Sequence, residues 1–272
     1  MATSPKSGEK TPDQQQLPAQ KAQREPQDAA YARAQDAIAT ARTSDASDLT
    51  LSGDDFSDLT ELPPDIGTLT ALTDLSLSGT QVSDISALSG LTGLMGLSLS
   101  RTPVSDISAL SGLTGPTWLS LSRTEVSDIS ALSGLSGLTT LSLMGTPVSD
   151  ISALSGLTTL VLSGTPVSDI SALSGLKGLT GLYLSDTAVS DISALSGLTA
   201  LSGLSLLGTP VNDLSPILPL TQLVDAPKYG GLAFRNTAAA RADRRIAEIA
   251  GIQDDAKRAT DLCAYLKNVT PT

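Results

Sequence analysis

Histidine is absent from this sequence of 272 residues, and cysteine occurs once. These scarcities exclude a disulfide framework, a Cys/His zinc site and any catalytic mechanism that needs an imidazole base. Aromatic residues are also rare, at 3% of the chain, with one Trp, four Tyr and two Phe. Since apolar residues nevertheless reach 40%, the core must be packed with aliphatic side chains, chiefly leucine.

Positive charge is scarce as well: 17 Lys and Arg stand against 28 Asp and Glu, for a formal charge of -11. This balance disfavours nucleic acid and an anionic membrane surface as partners, because both attract basic patches. No apolar run reaches the length of about 18 residues that predicts a membrane-spanning helix. The first 24 residues lack the apolar stretch of a secretory signal. We therefore expect a cytoplasmic, monomeric protein, with export through an unstructured leader as the alternative.

A ten-residue segment, Val-Ser-Asp-Ile-Ser-Ala-Leu-Ser-Gly-Leu, recurs almost unchanged along the chain. Its aspartates are separated by 22, 22, 22, 19, 22 and 22 residues and are Asp84, Asp106, Asp128, Asp150, Asp169, Asp191 and Asp213. Leucines recur in step with them, which gives the template LxxLxxLxLxxTxVxDIxxL. The repeat at 150–169 is three residues short and lacks one LxxL step. We expect the loss to fall on the return path and to produce a local kink.

Each part of the template predicts a local structure. The L-x-L step, which occurs eight times, has the two-residue period of a short strand whose leucines point inward. The LxxLxxL approach has a three-residue period, which is typical of a turn-rich or 3₁₀ return path. A single repeat leaves its apolar side open, so the repeats must stack into a continuous α/β solenoid.

Threonine and aspartate are predicted to hold the bends of each repeat. The threonine after each strand has a short hydroxyl that can satisfy backbone groups of its own and the adjacent coil, as at Thr102, Thr124 and Thr146. The next aspartate is expected to cap a helical turn, as at Asp106, Asp128 and Asp150. Calcium binding is the alternative interpretation of these aspartates. Because the glycine-rich nonapeptide of calcium solenoids is missing, we expect no metal.

These residues resemble the leucine-rich repeat superfamily over about residues 49–223. The 22-residue spacing with V-x-D-I-S-x-L is similar to the internalin class, although internalins carry Asn where this chain has Thr. The unit Leu59-Thr-Glu-Leu-Pro-Pro-Asp-Ile-Gly67 is instead similar to L-P-x-x-I-G repeats of cytosolic proteins, including those attached to Roco GTPases. The resemblance implies a right-handed superhelix with a concave parallel sheet and a convex side of 3₁₀ turns. The signal peptide and wall anchor of the internalins are not seen, which argues against host-cell adhesion.

A solenoid exposes an apolar layer at each end, so caps are expected around the repeats. We predict a disordered leader over residues 1–25, an N-terminal helical cap over 26–48, the solenoid over 49–223 and a C-terminal helical cap over 224–272. Within the C-terminal cap, helices are predicted from Asn236 or Thr237 to about Ala250 and from about Asp254 to Lys267.

The positions around the L-x-L steps are mostly Ser, Gly or Thr, and the exceptions are the candidate partner-binding residues. They are Trp118, Arg101, Arg123, Met144, Val161, Tyr183 and Leu207. Exposed Trp and Tyr with Arg is the composition of a protein-binding hot spot. Incidental variation in a duplicated array is the alternative, because single exposed apolar residues are common.

No motif for catalysis or for a cofactor was found. The phosphate loop G-x-x-x-x-G-K-[ST] is absent, so this chain carries no GTPase site of its own. Cys263 could serve an effector-type ubiquitin ligase, but its helical spacing beside Leu262 and Leu266 indicates a packed structural thiol. We therefore predict a non-catalytic protein-interaction module that binds on its concave face. Alternatives are a secreted or translocated effector or adhesin that engages a host protein, and a regulatory partner of a separately encoded GTPase.

Overall fold

The L-x-L steps form the strands of one parallel sheet. This computed structural model describes the backbone of residues 12–225 and 231–269, and the side chains of residues 27–223 and 231–269. The strands are β1 (Asp48–Thr50), β2 (Asp74–Ser76), β3 (Gly96–Ser98), β4 (Trp118–Ser120), β5 (Thr140–Ser142), β6 (Thr159–Val161), β7 (Gly181–Tyr183), β8 (Gly203–Ser205) and β9 (Leu232–Ala233). Their order in the sheet is their order in the chain. Each coil therefore pairs only with the coil before it and the coil after it, which is the arrangement of a right-handed leucine-rich repeat solenoid.

The sheet contains one more strand than the eight predicted. Strand β9 belongs to Leu232-Ala-Phe-Arg-Asn-Thr237, which matches L-x-L-x-x-T with Phe234 at the second leucine. Leu232 pairs in register with Leu204, and the buried Thr237 hydroxyl donates to the Phe234 carbonyl at 3.1 Å. The region predicted to be a purely helical cap thus includes a degenerate repeat, because Phe fills the core position that Leu fills elsewhere.

The return paths of the coils, except that of the short repeat, contain short 3₁₀ turns on the convex side. These turns are Asp54–Phe56, Pro64–Thr68, Ser86–Leu88, Ser108–Leu110, Ser130–Gly134, Ser171–Gly175, Ser193–Gly197 and Ser215–Ile217. The short repeat has none, whereas its strand β6 keeps register with β5 and β7. The missing residues were therefore removed from the convex side, and the kink stays a prediction.

Aspartate lies at the start of the return path and accepts a backbone hydrogen bond at every one of the seven recurring positions. Asp106 Oδ1, for example, accepts the Ser108 N–H at 2.8 Å, and the same bond is made by Asp84, Asp128, Asp150, Asp169, Asp191 and Asp213. The N–H groups at the start of a helical turn have no partner within the turn, so the carboxylate satisfies one of them.

A buried threonine hydroxyl closes the bend after each strand from β2 onward. It donates to the carbonyl three residues earlier, as Thr124 does to Leu121 at 2.7 Å. The bond recurs at Thr80, Thr102, Thr146, Thr165, Thr187 and Thr209. These hydroxyls bond within their own coil, so they close each bend and do not join neighbouring coils.

Helix α1 (Pro12–Ser44) covers the first coil. Ala30, Ala34 and Ile38 are buried in the core at a spacing of four residues, which places them on one helix face. Residues 12–25, predicted as part of a disordered leader, belong to this helix. The sequence of this stretch has no apolar periodicity, so the pattern did not show the helix. Residues 1–11 lie outside the described chain.

The C-terminal end is closed by α2 (Gln222–Asp225), α3 (Ala238–Ala242), α4 (Arg244–Ala250) and α5 (Asp255–Val269). The single helix predicted from about residue 236 to 250 is divided at Asp243. Its backbone is extended, and its carboxylate accepts the N–H groups of Arg245 at 2.7 Å and Ile246 at 3.2 Å. This capping starts a new helix, because the side chain replaces the backbone acceptor that a continuous helix would supply.

The guanidinium of Arg258 attaches α5 to the last strand. Arg258 is 8% exposed and donates to the carbonyls of Leu232 and Ile252 and to the Asp255 carboxylate. Burial lowers the pKa of Arg258, and the positive charge of Arg235 adds to that effect.

None of the helices in the described part of the chain combines the length and the apolar character that a membrane span requires.

Candidate protein-binding face

The concave face consists of side chains that point outward between the inward leucines of the strands. The first column holds the residue before each first leucine: Asp48, Asp74, Gly96, Trp118, Thr140, Thr159, Gly181 and Gly203. The second column holds the residue between the two leucines: Thr50, Ser76, Ser98, Ser120, Ser142, Val161, Tyr183 and Ser205. Because the strands are parallel and in register, neighbours in a column are about 4.8 Å apart.

A continuous chain of serine hydroxyls crosses the N-terminal half of this face. Second-column serines alternate with the serine two residues further along each strand, and successive hydroxyl oxygens are 2.6–3.3 Å apart. Its members are Ser76, Ser78, Ser98, Ser100, Ser120, Ser122 and Ser142. The chain ends where Val161 takes the next position in the column. These hydroxyls satisfy one another, so the second column is polar from β2 to β5.

The C-terminal half of the face carries larger side chains. Val161 and Tyr183 are register partners on β6 and β7, and both are half-buried. Met144 and Leu207 stand at the next outward position of their strands, and both are exposed. Four predicted binding residues therefore line one half of the same sheet, on coils five to eight.

The structure does not place Trp118 beside Arg101 and Arg123. Trp118 is the first residue of β4, whereas Arg101 and Arg123 each lie three residues past the last residue of their strand. Arg123 follows Trp118 by five positions in the sequence, and the last three of them lie past the end of β4. The single cluster predicted from the sequence is thus divided between the two edges of the concave face.

Arg101 and Arg123 occupy backbone positions that normally favour glycine. Their φ angles are 59° and 58°, in the left-handed region, and Gly79 and Gly145 hold the same position in the neighbouring coils. A left-handed residue with a side chain costs about 1 kcal/mol relative to an ordinary conformation. Both side chains are exposed, so packing of the core does not explain their presence.

Sequence reasoning missed a pocket at the edge of the face that Trp118 occupies. It is lined by first-column and second-column residues of β1 to β4, including Asp48, Asp74, Gly96 and Trp118. Met95, which directly precedes β3, is 48% exposed and was missed as well. The first-column alignment would have brought Asp48 and Asp74 to the same edge as Trp118, because each aspartate directly precedes the first leucine of an L-x-L step.

The side chains that could carry out chemistry are the Cys263 thiol and the recurring aspartates, and the structure shifts the pKa of both kinds of group. The Cys263 thiol is half-buried on α5, and burial raises its pKa, an effect that Lys267 partly offsets. The pKa of six recurring aspartates is lowered, and the largest cause is the backbone N–H of the serine two residues later, which donates to the carboxylate. These aspartates are Asp84, Asp106, Asp128, Asp150, Asp169 and Asp191. Within the described residues, no three Cys, Asp or Glu side chains form a group that could hold a metal ion.

Comparison with solved structures finds the same architecture in bacterial proteins. Internalin C2 from Listeria monocytogenes strain 4b F2365 is 34% identical, with a TM-score of 0.56, over 58% of this chain and 71% of that chain. An internalin, InlF, from the same strain is 22% identical, with a TM-score of 0.52, over 71% of this chain and 69% of that chain, and shows a likeness of fold alone. No family model matches the sequence, and no curated protein matches it.

Proposed function

From the premise that the chain belongs to the internalin-like family of leucine-rich repeat proteins, we propose that it is a non-catalytic module that binds a protein partner on its concave face. A leucine-rich repeat solenoid of this kind supports protein–protein interaction, because its surface is extended and formed before binding. Little ordering entropy then opposes association.

The placement of the exposed apolar side chains carries this proposal. Of the five large apolar side chains that are exposed in the described chain, one, Val269, ends α5. The other four lie in the strands or directly beside them: Met95, Trp118, Met144 and Leu207. Apolar surface concentrated on one rigid face, with a rim of charged residues, is typical of a protein-binding site.

The left-handed arginines add a second argument. Because glycine would remove the backbone strain at Arg101 and Arg123, the presence of arginine at both positions favours a role for the guanidinium groups outside the fold. Arginine is also enriched in the residues that dominate binding energy.

Two features support the absence of catalysis. The concave serine hydroxyls hydrogen bond to one another, and no basic side chain in the described part of the chain hydrogen bonds to them. The raised pKa of Cys263 keeps its thiol protonated near neutral pH and opposes the use of this residue by a ligase.

Affinity purification with the full chain as bait tests the proposal. We expect a protein partner that is retained by the wild-type chain and lost, by about tenfold or more, in a Trp118→Ala and Tyr183→Ala double variant. Val269→Ala is the matched control, because it removes an exposed apolar side chain away from the sheet. A partner retained equally by both variants contradicts binding on the concave face. The identity of the partner separates a host protein from a GTPase or another cytoplasmic protein.

A further inference from the structure

The pocket beside Trp118 has an acidic wall and an aromatic wall with a glycine between them. Asp48, Asp74, Gly96 and Trp118 are consecutive members of the first column. We call the space that they line the Trp118 pocket; Ser76 and Ser98 belong to its floor. Both aspartates are exposed, and Trp118 is 41% exposed.

Gly96 lets the two walls approach each other. A Cβ atom at this residue would stand 2.3 Å from Asp74 Oδ1 and 3.5 Å from Trp118 Cε3. The carboxylate and the indole ring therefore lean over the same residue from the two neighbouring strands. One cation placed there can contact both groups, since cation–π contacts extend to about 6 Å from the ring centroid.

The negative charge of the pocket has no counterpart in the described chain. Neither Asp48 nor Asp74 forms an ion pair with a described residue. Asp74 Oδ2 accepts the Thr73 hydroxyl at 2.8 Å, which orients the carboxylate and leaves Oδ1 toward the pocket. No Lys or Arg lines the pocket, and the chain as a whole carries a formal charge of -11.

We propose that the Trp118 pocket binds the cationic end of an arginine or lysine side chain that the protein partner presents. The indole ring would stack on the guanidinium or the aliphatic stem, and the carboxylates of Asp48 and Asp74 would face the charge. An acidic side chain would meet two like charges, and an apolar side chain would leave the carboxylates without a partner. This inference rests on the proposed function, because it identifies the chemistry of the partner at one edge of the concave face.

Trp118 is the only tryptophan of the chain, so its fluorescence reports on this pocket alone. The probes are the peptides acetyl-Gly-Ser-Arg-Ser-Gly-amide and acetyl-Gly-Ser-Lys-Ser-Gly-amide, and a third peptide in which citrulline replaces arginine. Citrulline keeps the planar shape of arginine but has no charge. We expect saturable changes in Trp118 fluorescence with the Arg or Lys peptide, and an affinity at least about fivefold weaker with the citrulline peptide.

Three variants assign the signal to the pocket. The Asp48→Asn and Asp74→Asn double variant keeps the shape of both side chains, and we expect an affinity for the Arg peptide about threefold to tenfold weaker. Asp186→Asn, at the other edge of the sheet, makes a matched change of charge and should stay within about twofold of the wild type. Gly96→Ala should displace the Asp74 carboxylate and weaken binding as the double variant does. Unchanged circular dichroism establishes that each variant is folded.

Equal responses to the arginine and citrulline peptides overturn the inference. So does an unchanged Trp118 signal up to about 10 mM Arg and Lys peptides, or an equal loss in Asp186→Asn. The proposed function is tested separately with the affinity-purified partner. If the Asp48→Asn and Asp74→Asn variant retains that partner while Trp118→Ala with Tyr183→Ala loses it, the inference fails and the proposed function stands.

Discussion

Replacing Thr124 with valine removes one buried hydroxyl and leaves the volume of the side chain almost unchanged. The hydroxyl donates to the Leu121 carbonyl at 2.7 Å, and Thr124 is 5% exposed, so water cannot take its place. The carbonyl keeps the Thr124 N–H at 3.3 Å and is not left without a partner. The expected loss is therefore that of one neutral hydrogen bond, about 1 kcal/mol within a range of about 0.5–1.5 kcal/mol.

Urea unfolding measures this loss as a lower midpoint at an unchanged m-value. The matched control is Thr140→Val on β5, because the Thr140 hydroxyl makes no hydrogen bond with the described residues and its side chain is half-buried. We expect the control to stay within about 0.5 kcal/mol of the wild type. A Thr124→Val chain as stable as the wild type, or an equal loss in the control, would refute the role of the threonine hydroxyls in closing each coil.

Three further predictions concern charged residues. The lowered pKa of the recurring aspartates means that their contribution to stability is present above about pH 4 and is lost as the pH falls through the folded pKa. The urea midpoint should therefore drop in acid. Asp128→Asn still accepts the Ser130 N–H but does not titrate, so this variant should show a smaller drop. A variant whose midpoint depends on pH as that of the wild type does would contradict the prediction. Arg123→Gly should stabilise the chain by up to about 1 kcal/mol, since glycine relieves the strain of the left-handed backbone, and it should weaken partner binding. Thermal unfolding measures the first effect and affinity purification the second. A destabilised variant would contradict the backbone strain. Arg258→Lys should cost about 1–3 kcal/mol in urea unfolding, because one ammonium cannot replace the forked guanidinium contacts to Leu232 and Ile252; wild-type stability would show that α5 is held by packing alone.

The regular part of the fold follows from the sequence because every repeat has the same spacing of leucines. Leu97 and Leu99 alternate with Ser98, so the strand, its inward face and its neighbours are all implied by a period of two. The same reasoning finds the binding face, since the outward residues are those between the leucines. It also explains why the short repeat keeps its strand while losing part of the convex side.

The elements that sequence reasoning missed depend on single side chains instead of periods. Strand β9 was hidden because Phe234 stands where leucine is expected, and the division between α3 and α4 depends on the capping carboxylate of Asp243. Helix α1 extends to Pro12 without an apolar pattern to reveal it. The Trp118 pocket requires knowing that the indole ring leans over Gly96, which no spacing encodes.

Site-specific photocrosslinking tests the central claim, that a partner docks on the concave sheet, most directly. The photoreactive residue p-benzoylphenylalanine replaces Tyr183 on the concave face in one variant and Ser133, exposed in the convex 3₁₀ turn Ser130–Gly134, in another. We predict that irradiation with the purified partner gives a covalent adduct from position 183 and none from position 133. An adduct from position 133 alone would contradict the account and place the partner on the convex side.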